Sequence, residues 1–164
     1  MGMTIPGELA SVLAMIGYDW PEGDEEKLFE LGQIWMDFAS TVEEVGREAD
    51  ALAAEVTGGN QGDVIAAFDA YWSGADGPGG VLAGNTTATT VLGAGYVVVA
   101  AVVLALKVAI IVQLVILAVQ IAQAVATAVP TFGASLLEIP IFKMITSLIL
   151  DQLIDMAMRA ILGG

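Results

Sequence analysis

An almost unbroken apolar run, Val91 to Val119, is interrupted only by Gly93, Gly95, Lys107 and Gln113. No solvated loop or half-exposed strand accommodates such a run. It must lie in lipid or be covered by other helices. At 29 residues it exceeds the ~20 needed to span a bilayer. A single Lys near the centre costs only roughly 2.5–3.5 kcal/mol on insertion scales, which the surrounding Leu, Ile and Val can offset. Small polar flanks, no Trp/Tyr belt at the far end and a narrow glutamine stripe favour a bundle instead.

The charge lies elsewhere. Residues 1–80 hold 16 Asp/Glu and 2 Lys/Arg, whereas residues 81–164 hold 3 of each. A net charge of −14 with five scattered basic residues excludes a phosphate-binding surface, so nucleic acid is not an expected partner. A hydrophobic content of 57% excludes disorder despite that charge. The chain has no Cys and no His. Disulfides, the common zinc sites, Ser–His and Cys–His nucleophilic pairs and histidine general bases are all absent with them. The expectation is a non-enzyme without metal or cofactor. The first residues carry Glu8 and Asp19 around a short apolar stretch, unlike a signal peptide, so any export is expected by a route independent of one.

Periodicity predicts an all-α fold: an elongated helical hairpin or bundle with two long helices, a C-terminal helix, and short helices at the N-terminus and before a Gly-rich loop over 73–84. One domain over 1–164 is expected, with an acidic half (1–80) and an apolar half (81–164). Pro6 opens the first short helix and Gly17 stops it. From Leu28 the positions Leu28, Leu31, Trp35, Phe38, Val42, Val45, Ala49, Leu52 and Val56 alternate three and four apart, a coiled-coil or bundle seam that requires a partner helix. Asp24, Glu25 and Glu26 crowd its start, where negative charge meets the helix dipole, and Gly58-Gly59 ends it. Asp63 is the expected N-cap of a short helix carrying Val64, Phe68, Tyr71 and Trp72. The pattern from 91 reaches Val129, too long for a strand, with Gln113, Gln120, Gln123 and Thr127 on one stripe. The last helix runs from about Pro140 to Leu162, capped by Gly163-Gly164.

Several constellations are better read as structure than as chemistry. Asp151 and Asp155 stand one turn apart with Arg159 next in line and no third carboxylate, a solvated stripe. Glu43, Glu44, Glu48 and Asp50 form a solvated helix face, and the glycines at 74–84 lack a following Lys-Ser/Thr for phosphate. Met144, Met156 and Met158 read as core filling.

Trp72-Ser73-Gly74 is different, because a W-x-G at a helix end lets the indole plug an open helical hairpin while Gly permits a sharp reversal. A heptad helix, this turn and a second long helix together resemble the W-x-G hairpins of actinobacterial type VII (ESX) secretion. The chain is more similar to a variant, the N-terminal domain of large polymorphic toxins of the outer membrane channel and necrotizing toxin type. The residues carrying the likeness are Ile5-Pro6-Gly7-Glu8-Leu9, Gly17-Tyr18-Asp19-Trp20-Pro21, Gly23-Asp24-Glu25 and Leu28 through Trp35. Lys107 with Ile110-Ile111, Gln113-Leu114 and Ile116-Leu117 adds to it, as does Thr131-Phe132-Gly133-Ala134-Ser135-Leu136.

That resemblance implies a non-catalytic targeting and partner-binding module ahead of an effector, secreted or at the cell surface, pairing with a helical protein or with secretion machinery as a homo- or hetero-oligomer. No toxin follows here, so a stand-alone member or a domain cut from a longer effector is expected. The family's W-x-G turn corresponds either to Trp72-Ser73-Gly74 or to Asn60-Gln61-Gly62. Its Tyr-x-x-x-Asp/Glu export signal is matched in spacing only by Tyr18 to Glu22, upstream and holding Pro21, so a partner is expected to supply the signal. The alternative is a membrane-inserted channel or pore-forming protein using residues 91–129, with Gln113, Gln120 and Gln123 lining a polar path. A third reading, an acidic immunity-like decoy, predicts a basic partner.

Overall fold

A computed structural model describes residues 2–163. Those residues form α1 (Gly7–Met15), α2 (Glu25–Gly59), α3 (Asp63–Ser73), α4 (Pro78–Ala126), a short 3-10 helix (Ala134–Glu138) and α5 (Ile139–Leu162), with no strand among them. The fold is all-α, with two long helices as the periodicity predicts.

Local chemistry sets most boundaries. The Pro6 carbonyl accepts from Ala10 N at 3.0 Å to start α1. Gly17, at φ +84°, ends it with Tyr18 N returning to Leu13 O. Asp24 Oδ1 accepts the Lys27 amide at 3.1 Å, capping α2, and that bond is the main reason its carboxyl lies below the usual range. Asn60 Nδ2 donates to Val56 O at the other end. Gly163, at φ +70°, closes α5 by donating to Arg159 O; its expected companion Gly164 lies outside the described residues.

The expected loop over 73–84 contracts to residues 74–77, because α4 already begins at Pro78. Proline suits a first helical turn, and the nearby glycines serve close packing. A Cβ on Gly77 would stand 1.8 Å from Tyr71 O, and one on Gly80 2.4 Å from Gly74 O. The polar stretch 85–90 is helical, and its Thr86, Thr87, Thr89 and Thr90 hydroxyls are satisfied by bonding back to carbonyls one turn earlier. At its far end α4 stops at Ala126, short of the expected Val129.

The chain forms two compact units that do not follow its acidic and apolar halves: residues 28–98, and residues 2–27 with 99–163. In the contiguous unit, α2 and α4 run antiparallel, since Gly32 meets Gly93 while Gly46 meets Leu82. The inward positions of α2 include 28, 32, 35, 39, 42, 46, 49 and 53, four and three apart, with Met36 half-buried beside them. Every second one is Gly or Ala, namely Gly32, Ala39, Gly46 and Ala53. Small residues let the backbones approach, and Gly32 and Gly93 are the tightest point. A Cβ on either would lie 2.9 Å from the other's carbonyl oxygen.

In the second unit, Leu13 of α1 packs with Ile110 and Leu114 of α4 and Leu150 of α5. Ile5, Leu9, Val12, Ile16, Tyr18 and Trp20 ring this core. Leu117 and Ala124 extend the buried stripe of α4. The return to α5 is closed by Gly133 at φ +84° and by Ser135, whose hydroxyl donates to Ala124 O at 2.7 Å.

Two glycines of α2 should therefore answer differently to the same change. Gly32→Ala should cost about 1–3 kcal/mol of stability through overpacking against Gly93 and Val97. Gly46→Ala, whose Cβ would meet Leu82 at an ordinary 3.8 Å, should be neutral or stabilising by up to about 1 kcal/mol. Urea unfolding of both variants distinguishes them.

Candidate interaction surfaces

The nine expected seam residues divide. Leu28, Trp35, Val42 and Ala49 are half-buried on the inward side of α2, whereas Leu31, Phe38, Val45 and Leu52 are exposed, as is Val56 near the end of the helix. The true inward stripe combines the first set with the small residues one position beyond the second. Its signal, Gly or Ala every seventh residue from Gly32 to Ala53, was present in the sequence but hidden by the larger side chains beside it. Trp35 and Phe38 meet edge to face, with ring centroids 6.1 Å apart.

Trp72-Ser73-Gly74 sits where α3 ends and the chain turns into α4. The Trp72 indole N–H donates to Asp50 Oδ1 of α2 at 2.7 Å, and its ring stacks on Phe68. A Cβ on Gly79 would stand 3.0 Å from the indole nitrogen, so the first turn of α4 lies directly against the ring. Ser73 is exposed and bonds back to Asp69 O. A Cβ on Gly74 would stand 3.2 Å from Ala70 O. The alternative, Asn60-Gln61-Gly62, forms the separate turn between α2 and α3, with Gly62 at φ +123°.

Gln113 and Gln120 are half-buried beside the buried stripe of α4, while Gln123 is exposed. Tyr18, of the Tyr18–Glu22 spacing, packs inward: its hydroxyl donates to Asp151 Oδ1 at 2.6 Å and also contacts Ser147 O at 3.1 Å. The bond to the Asp151 carboxylate, then burial and the carboxylate's charge, push the Tyr18 phenol up from its ordinary value. Asp155 pairs with Arg159 at 2.6 Å on the surface of α5. No group of His, Cys, Asp or Glu suited to a metal occurs among the described residues.

The polar node at Lys107 was not foreseen. Its ammonium, 2% exposed, donates to Glu25 Oε2 at 2.7 Å, Gly23 O at 2.6 Å and Met3 O at 3.2 Å. The Trp20 ring lies 5.8 Å away, with its indole N–H on Met3 O at 3.2 Å. The Met3 amide donates to the other Glu25 oxygen. All three ammonium protons thus have acceptors, drawn from three separate positions in residues 3–25. The usable signal was that a lone cation in an apolar helix requires a carboxylate partner. Burial opposes the charge on Glu25, but the bonds from Lys107 and the Met3 amide outweigh it and hold the carboxyl below its usual range.

Large apolar side chains also remain uncovered. On α4 they include Val108, Val112, Val115 and Val119, and on α5 Met144 and Leu148. An apolar groove of about 320 Å³ runs between these helices, lined in part by Ala105, Ala109, Ala157 and Ala160. Met144, Met156 and Met158, expected as core filling, are exposed because only one stripe of α5 packs inward.

Because the folded-state pKa of Glu25 is depressed, its pairing stabilises the fold above the ordinary carboxylate range and is lost as pH falls through the lowered value. Lys107→Met alone strands a buried carboxylate and should cost about 3–5 kcal/mol, while adding Glu25→Gln should restore much of that loss and flatten the acid limb. Urea unfolding across an acid titration, followed by Trp fluorescence, checks both.

Against this geometry stand the comparisons. A family model described as WXG100 like domain matches residues 6–148, from α1 into α5. No curated protein and no solved structure matches the chain. With most of its length covered by that family, and a Trp-Ser-Gly turn locking two antiparallel helices, the chain belongs to the WXG100-like family of helical proteins related to type VII secretion.

Proposed function

We propose that this domain is a non-catalytic targeting and partner-binding module of a type VII-secreted effector, of the kind placed ahead of actinobacterial polymorphic toxins of the outer membrane channel and necrotizing toxin type. The observation that carries the reading is the apolar surface left open on α4 and α5, beside a helical core complete enough to hold its shape. Exposed apolar surface of this kind marks interaction sites. Partner binding covers the surface, and export proceeds without a signal peptide. Tyr18 is engaged in packing, which supports the view that the export signal comes from the partner.

One observation favours a second reading, insertion in a membrane. The helical segment Asp63–Ala126 holds a stretch apolar and long enough to cross a bilayer, with 22% of that stretch buried. Its one charge, Lys107, is turned inward and neutralised by Glu25, so the outer face of that stretch is uncharged. Gln113 and Gln120 would then border a polar path.

Expressed without detergent, the chain should leave the membrane pellet on washing with alkaline carbonate. Retention after the wash overturns the partner-binding reading in favour of the membrane. If a polar path exists, Gln120→Leu should alter bilayer conductance.

A further inference from the structure

The exposed residues of α2 form a stripe of their own. Leu31, Phe38, Val45 and Leu52 recur every seven residues and are 40%, 49%, 50% and 63% exposed. Their inner neighbours Leu28, Trp35 and Val42 complete the three-four alternation of a coiled-coil seam. Helix α2 therefore carries two seams side by side. The small-residue seam is occupied by α4, and the large-residue seam is open.

The rim of the open seam is acidic. Glu30, Asp37 and Glu44 precede three of its members by one residue, and Glu48 and Glu55 follow the last two by three. Glu48 and Glu55 stand at the positions that flank a helix laid along the seam, and Glu30, Asp37 and Glu44 lie one step further out on the same side. The opposite border is α4, which carries no charged residue from Pro78 to Val98. Residues 28–98 contain ten Asp/Glu against Arg47 as their one cation. Nothing in this unit neutralises the rim. A second copy would set acid against acid, and an anionic membrane surface would repel it for the same reason.

We infer that this stripe is the docking seam for a helix of another protein, with apolar heptads flanked by lysine or arginine. The inference deepens the partner-binding reading and rests on it. Burying Leu31, Phe38, Val45 and Leu52 supplies affinity, while the acidic rim selects sign and speeds association.

The test uses the full chain and two synthetic four-heptad peptides with leucine seams, one flanked by lysines and the other by glutamates. Binding is read by fluorescence anisotropy, and folding by circular dichroism. The chain should bind the lysine-flanked peptide at least about tenfold more tightly than the other. The variant F38Q/V45Q/L52Q keeps every acid and alters only exposed side chains. It should keep its helicity and lose at least about tenfold in affinity. E48Q/E55Q should weaken binding several-fold and flatten its salt dependence. Undiminished binding by the triple variant overturns the inference, because charge alone then accounts for it. So does a dimer of the chain in sedimentation that the triple variant abolishes, or binding to phosphatidylglycerol vesicles that it abolishes. Peptide binding that fails in a chain released by carbonate removes this seam while leaving the partner-binding reading intact.

Discussion

One buried ion pair, Lys107 with Glu25, decides what the apolar helix can do. An isolated ammonium in such surroundings is expensive, and it becomes tolerable here because a carboxylate, two carbonyls and an indole ring converge on it. Residues 3–25 are therefore a functional part of α4's environment. They supply the counter-charge, and through Leu13, Tyr18 and Trp20 they cover one side of the α4–α5 pair.

The hairpin of residues 28–98 follows a different logic. Its helices meet through Gly and Ala, so backbone proximity and dispersion contacts hold them. Large side chains are left over as a result and stand on the flank of α2. Trp72 locks the turn through Asp50, the only place in this unit where an acidic residue of α2 is held by a hydrogen bond to a side chain of another helix among the bonds described.

Much of this was legible in the residues. Helix periodicity, Pro6, Gly17 and Asp24 mark element boundaries with local chemistry that tertiary packing did not override, whereas α3 is capped at Gly62 with no side-chain bond and the expected cap Asp63 is already helical. The spacing of the α2 seam is correct in the sequence, but Leu31, Phe38, Val45 and Leu52 stand one position away from the inward Gly32, Ala39, Gly46 and Ala53, which look weak on any apolar scale. The glycines at 74–84 spell a loop in the sequence, yet Gly77, Gly79 and Gly80 stand in close contact with neighbouring carbonyls and, for Gly79, the Trp72 ring, which the sequence alone does not show. The partner of Lys107 lies 82 residues away, and no periodicity reports a pairing at that range. The exposed valines of α4 show the limit of composition, since a run that demands covering does not say what covers it.

The interleaving of the two units has a consequence for biosynthesis. Residues 28–98 emerge as one contiguous stretch, so the glycine-seamed hairpin has all its parts before Lys107 has been translated. At ordinary elongation rates of roughly 5–20 residues per second, several seconds separate Glu25 from its counter-ion. During that interval Glu25 lacks the ammonium that it pairs with in the folded protein, and the apolar helix is made after residues 3–25, which cover one side of it. A nascent chain ordered this way makes the N-terminal part of the cover before the apolar helix, and the other part, α5 with Leu150, after it.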